Sequence, residues 1–179
     1  MDRSSTKSKA LFGLRIMVIL AMLTALSVAL KALKIDVTPY IRITFETLPV
    51  ALAAFLYGPV AGLICGALAD VLGCVTTGMV IQPVITAAAG LFGLAAGLMR
   101  LFIKSERFPF VLLCDAVPHV LASMGLKSVG LRLLYGTPWE ALAIRVPLYM
   151  AISALETVLI YILYRKGVMK FIRRGREKA

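Results

Sequence analysis

The sequence is short of the groups that usually perform chemistry. It has one histidine, His119, and nine acidic residues against 20 basic ones. Neither HExxH nor GxSxG occurs, so the zinc-peptidase helix and the hydrolase nucleophile elbow are both absent. There is no GxxxxGK followed by Ser or Thr, hence no P-loop, and the chain is not expected to hydrolyse ATP itself. Three cysteines, Cys65, Cys74 and Cys114, stand in apolar surroundings without CxxC spacing. That excludes a zinc ribbon or a disulfide framework and leaves them as small buried hydrophobes. No repeat of 20–50 residues and no low-complexity stretch is evident. Without a nucleophile–base set the chain is not expected to be an enzyme. No metal ion or cofactor is expected either, and His119 is assigned a structural role.

What the sequence does have is apolar length. Of its 179 residues 60% are apolar, and the mean hydropathy of +0.91 places it in the membrane class as one domain, 1–179. The net charge of +11 would suit a nucleic-acid binder. That is rejected, because the charge concentrates in the tails 1–15 and 165–179 of a lipophilic chain. Basic ends flanking apolar spans are the positive-inside pattern. The start also mimics a signal peptide, with Ser27-Val28-Ala29 as its cleavage site. A retained first helix is expected, since the rest of the chain is equally membrane-like.

The fold class expected is an all-α integral membrane protein with six transmembrane helices. They fall at about 11–33, 45–57, 59–75, 83–103, 109–126 (with room to extend) and 139–164. Gly58-Pro59 separates the second from the third, and Pro59 suits a first helical position. An even count puts the basic tails, about 1–10 and 165–179, on one side, expected to be cytoplasmic in a multi-pass cell-membrane protein. The basic loop 100–107 falls there too. The outer loops are then 34–43, 76–82 and 126–138. They hold Lys34, Arg42, Lys127 and Arg132, with Arg145 two turns into the last helix. Charge in such places is costly and usually kept for a purpose. An outward-facing basic cavity concentrates anions.

Small residues recur at four-residue spacing. Gly58, Gly62 and Gly66 line one helix, and Gly93 and Gly97 another, as expected for close internal packing. Ala21, Ala25 and Ala29 form a third stripe, which spacing assigns equally to internal packing or to a partner surface. Asp70 and Asp115 lie inside apolar spans, where carboxylates carry protons or ions, or else cap a helix or pair with a nearby Arg. Capping or pairing is the expectation.

The segment Arg42-Ile43-Thr44-Phe45-Glu46-Thr47-Leu48-Pro49 leads into Tyr57-Gly58-Pro59, Gly62, Gly66 and Asp70-Val71-Leu72-Gly73. This run resembles the S components of energy-coupling factor (ECF) vitamin transporters, above all the folate family. Leu134-Tyr135-Gly136-Thr137-Pro138-Trp139, followed by Arg145, is similar to the folate-type stretch before the last helix. The resemblance spans nearly the whole chain. It implies an S-component bundle that binds an anionic vitamin, folate first, from outside. The loaded subunit would then dock on a membrane coupling subunit carried by two cytosolic ATPases. Ala21, Ala25 and Ala29 resemble the face presented to that coupling subunit. The pocket would use Arg42, Lys127, Arg132 or Arg145 for carboxylate or phosphate. Tyr135 or Trp139 would stack on a ring, and Thr77 and Gln82 would supply neutral hydrogen bonds.

Two departures bear on the ligand. Lys127-Ser128-Val129-Gly130 stands where the folate type has Asn-Thr-x-Trp, and Gly78-Met79-Val80-Ile81-Gln82-Pro83 where it has an aromatic and Pro-Gly-Phe-Thr. The charge-binding part is kept and the ring-reading part altered. The alternative function is a stand-alone secondary carrier for a small organic anion, with Asp70 or Asp115 binding the coupling ion.

Overall fold

A computed structural model describes residues 3–38, 41–103, 107–136 and 139–165. Helix α1 covers Arg3–Ala32, α2 Thr47–Tyr57, α3 Pro59–Thr77 and α4 Pro83–Phe102. Helix α5, Phe108–Pro118, runs straight on through a π-helical stretch, His119–Leu126, into α6, Lys127–Tyr135. Helix α7 is Trp139–Arg165. Five spans are long and apolar enough to cross a membrane: Gly13–Ala32, Pro59–Thr77, Pro83–Phe102, Phe108–Leu133 and Val146–Leu163. The 11-residue α2 is the sixth, shorter helix of the bundle.

Three boundaries differ from the sequence expectation. Helix α1 begins at Arg3, so the described part of the basic tail is helical. Its Ser, Lys and Ala residues include neither Pro nor Gly before Gly13, and nothing stops the helix at the edge of the bilayer. The loop expected at 126–138 is mostly α6. Residues 127–135 include no proline, and the helix stops only where Gly136 takes the left-handed conformation (φ 61°) and its N–H caps the Arg132 carbonyl. Lys127 and Arg132 are therefore helical residues. Between α1 and α2, β1 (Ile35–Thr38) pairs antiparallel with β2 (Ile41–Ile43), Asp36 opposite Arg42, where a plain loop was expected.

The bundle is tightest between α3 and α4. A Cβ built on Gly62 would strike the Gly93 carbonyl, one on Gly66 the Ala89 carbonyl, and one on Gly97 the Pro59 backbone. The two helices meet backbone to backbone, as small-residue faces allow in lipid. Gly58, at φ 94°, makes the sharp link from α2 to α3, and Pro59 opens α3 as expected. Ala51, Ala53, Cys65, Phe92 and Ile160 fill the centre. Pro118 lacks the N–H that an α-helix needs, and the ladder changes to π spacing at the next residue.

Candidate functional site

The far end of α1 places Lys31 against α3. Thr24, Ser27 and Lys31 recur at three- and four-residue spacing on the inward face, all buried. Ala21, Ala25 and Ala29 occupy the opposite, exposed face. Lys31 Nζ donates to Asp70 Oδ1 at 2.6 Å and lies 3.9 Å from Glu46 Oε2. The route is open because Gly73 has no side chain; a Cβ there would collide with Cδ of Lys31. Thr86 of α4 donates to the other Asp70 oxygen at 2.7 Å. From α6, Lys127 Nζ donates to Glu46 Oε1 at 3.0 Å, and Ser27 Oγ donates to the Glu46 carbonyl at 2.5 Å.

Lys127, Glu46, Lys31 and Asp70 thus form one chain of alternating charge, two cations against two carboxylates. Each carboxylate has its own lysine, Lys127 at 3.0 Å from Glu46 and Lys31 at 2.6 Å from Asp70. A cavity of about 20 Å³ beside these groups is lined by Ser27, Glu46, Asp70, Phe92 and Lys127. That is room for about one water molecule, not for a vitamin.

On the other side of α6 lies a much larger cleft, about 570 Å³, within the size range of small-molecule pockets. Its walls include Met124, Ser128, Val129, Arg132, Trp139 and Val146. The Arg132 guanidinium lies over the Trp139 ring, 4.0 Å from its centre.

The expected ligand residues therefore fall into separate groups. Arg132 and Trp139 meet at the large cleft. Lys127 lies on the other side of the same helix, in the small polar cavity. Thr77 Oγ1 donates to the Gly73 carbonyl at 2.7 Å, and Gln82 is the N-cap of α4; neither is among the residues lining these two cavities. The side chains of Arg42, Tyr135 and Arg145 lie outside the described residues, although Ala143 and Val146, on either side of Arg145 in α7, line the large cleft.

Asp70 is paired as expected, but with Lys31 rather than an Arg. Lys31 and Glu46 were not singled out from the sequence, although the inward Thr24–Ser27–Lys31 spacing marks the first of them. Glu156 was missed as well. It sits near the middle of the Val146–Leu163 span with Ser153 and Thr157 on the same face.

Residues 15–173 match the family described as "ECF transporter, substrate-specific component". The chain belongs to that family. The S component is accordingly a multi-pass membrane subunit of a transporter. Its fold is similar to the crystal structure of FolT bound with folic acid, with a TM-score of 0.70 and 26% identity over 90% of this chain and 94% of that one. It is also similar to an S component of a bacterial ECF transporter (TM-score 0.66, 24% identity, 89% and 98% covered). A third similar structure is an S component for biotin (TM-score 0.63, 16% identity, 92% and 95% covered). Among curated proteins, the uncharacterized protein MG313 homolog of Mycoplasma pneumoniae is 32% identical over 88 residues, 49% of this chain. The match takes in about a third (31%) of that relative's length.

Proposed function

We propose that this S component captures an anionic vitamin from the outer side, with folate the leading ligand. It then passes the vitamin inward through a membrane coupling subunit driven by two cytosolic ATPases. The observation that carries this reading is the likeness to FolT over 90% of the chain, on a fold that offers a cleft of about 570 Å³ at the α6–α7 end. Arg132 and Trp139 give that cleft a cation for a carboxylate and a ring for stacking, and Arg145 and Tyr135 remain the further candidates from the sequence. Energy comes from partner ATPases, in keeping with the missing P-loop. Both basic tails lie on the cytoplasmic side in this reading.

The exposed stripe Ala21, Ala25 and Ala29 is the docking face for the coupling subunit, because flat small residues let a partner helix approach closely. The direct test is mass spectrometry of ligand co-purified with the protein, followed by binding measurements on Arg132→Ala and Arg145→Ala. A charged hydrogen bond is worth about 1.5–3 kcal/mol, so each change should weaken binding at least about tenfold without loss of folded protein. Unchanged affinity for folate, with no other vitamin recovered, would sink the reading. In the same preparation Ala25→Trp should abolish co-purification with the coupling subunit and spare ligand binding.

A further inference from the structure

Next to the alternating Lys–Glu–Lys–Asp chain, α5, the π stretch and α7 enclose a second polar cluster, separated from the small cavity by Thr47 and Phe92, which line that cavity and contact Glu156 and His119. Asp115, His119 and Glu156 are each fully buried, at 0% exposure. Both Glu156 oxygens are engaged: Oε1 accepts the Thr47 hydroxyl at 2.7 Å, and Oε2 lies 3.0 Å from His119 Nε2. Asp115 Oδ2 accepts the Ser153 hydroxyl at 3.0 Å and the Thr157 hydroxyl at 3.4 Å, and lies 3.9 Å from His119 Nε2. Asp115 Oδ1 and His119 Nδ1 are buried with no hydrogen-bond partner. A carboxylate at Glu156 puts the imidazole proton on Nε2, so Nδ1 is a bare lone pair, as Oδ1 is.

With both acids ionised and the imidazole neutral, the cluster, near the middle of the Val146–Leu163 span, would carry two negative charges. Buried charge is retained only when it is paired. The two buried lysines among the described residues, Lys31 and Lys127, are spent on Asp70 and Glu46. One donor atom from each of Asp115, His119 and Glu156 can be chosen so that all lie within 4.8 Å of one another. We infer that Asp115, His119 and Glu156 form a binding site for one divalent transition-metal ion of the Zn²⁺ type.

The charge selects the valence, since a doubly charged ion on two carboxylates and a neutral histidine leaves the site neutral. The donor set selects the class. One nitrogen and two carboxylate oxygens suit Zn²⁺ or its first-row neighbours, whereas Mg²⁺ and Ca²⁺ take oxygen alone. The Thr47, Ser153 and Thr157 hydroxyls orient the carboxylates from outside the ligand shell. The ion would tie α5 to α7 and, through Thr47, to α2. The inference does not depend on which vitamin the protein carries. The i,i+4 spacing of Asp115 and His119 is the local part of the signal, and Glu156 lies 37 positions from His119.

The test uses full-length protein in detergent, purified without a histidine tag or chelator. Elemental analysis should find about one zinc, or a first-row neighbour, per chain. Stripping with a chelator should lower the melting temperature by several degrees, and Zn²⁺ alone should restore it, because an ion bound only to the folded state stabilises that state. Asp115→Asn with Glu156→Gln should abolish both the bound metal and the Zn²⁺-dependent shift. If that variant fails to fold, the wild-type stripping and reloading experiment still decides. Metal-free wild-type protein whose melting temperature ignores added Zn²⁺ and Mn²⁺ would overturn the site, because the cluster would then hold protons. Full metal content in the folded double variant would overturn it equally.

Discussion

The two buried polar clusters face the same problem and treat it in opposite ways. Near the ends of α1 and α6, two carboxylates meet two lysines supplied by the chain itself. Between the end of α5, the π stretch and α7, two carboxylates meet one histidine and three hydroxyls, with no lysine or arginine among the partners the structure shows. The first cluster is complete as folded. The second is complete only with something taken from solution. Internal pairing suits a place that must hold its shape, while an unbalanced set is what a chain keeps when it expects a guest.

The largest effect should come from breaking the balanced side. Asp70→Ala leaves Lys31 buried without its main partner and should cost about 3–5 kcal/mol, read as loss of thermal stability in detergent. The double change Lys31→Leu, Asp70→Leu should recover most of that. A double variant as unstable as the single one would mean that the pair matters for something other than mutual neutralisation. Thr47→Val removes the hydroxyl bound to Glu156 and should cost about 1.5–3 kcal/mol, because the lost bond is to a charged group.

Ser27→Ala removes a neutral bond to the Glu46 carbonyl and should cost only about 0.5–1.5 kcal/mol in the same assay. The smallest effect is expected at Asp115→Asn in metal-stripped protein. Neutralising one of two facing acids there should leave the melting temperature unchanged or slightly raised. A large loss at Asp115 would erase the contrast between the clusters.

Much of the scaffold was legible in the sequence, because apolar length and punctuation act locally. Gly58-Pro59 places the α2–α3 break, and the Gly62, Gly66, Gly93 and Gly97 spacing marks the helix contact. The helical nature of 127–135 was less legible. A basic, glycine-containing stretch reads as an outer loop until its lack of proline and the stop at Gly136 are weighed together. The clusters were harder still, because each depends on pairing across long separations. Lys31 meets Asp70 over 39 positions and Thr47 meets Glu156 over 109. Cations were also easier to notice than the acids that neutralise them. Lys127 stood out as a ligand group, whereas Glu46, its actual neighbour in the fold, lay unremarked within the family motif.

Glu46 and Thr47 are consecutive residues that face different clusters. The Glu46 carboxylate is held by Lys127 on α6, and the Thr47 hydroxyl is spent on Glu156 of α7. One peptide unit therefore connects the two clusters. Two successive side chains thus join helices that lie far apart in sequence, one bond reaching α6 and the next α7.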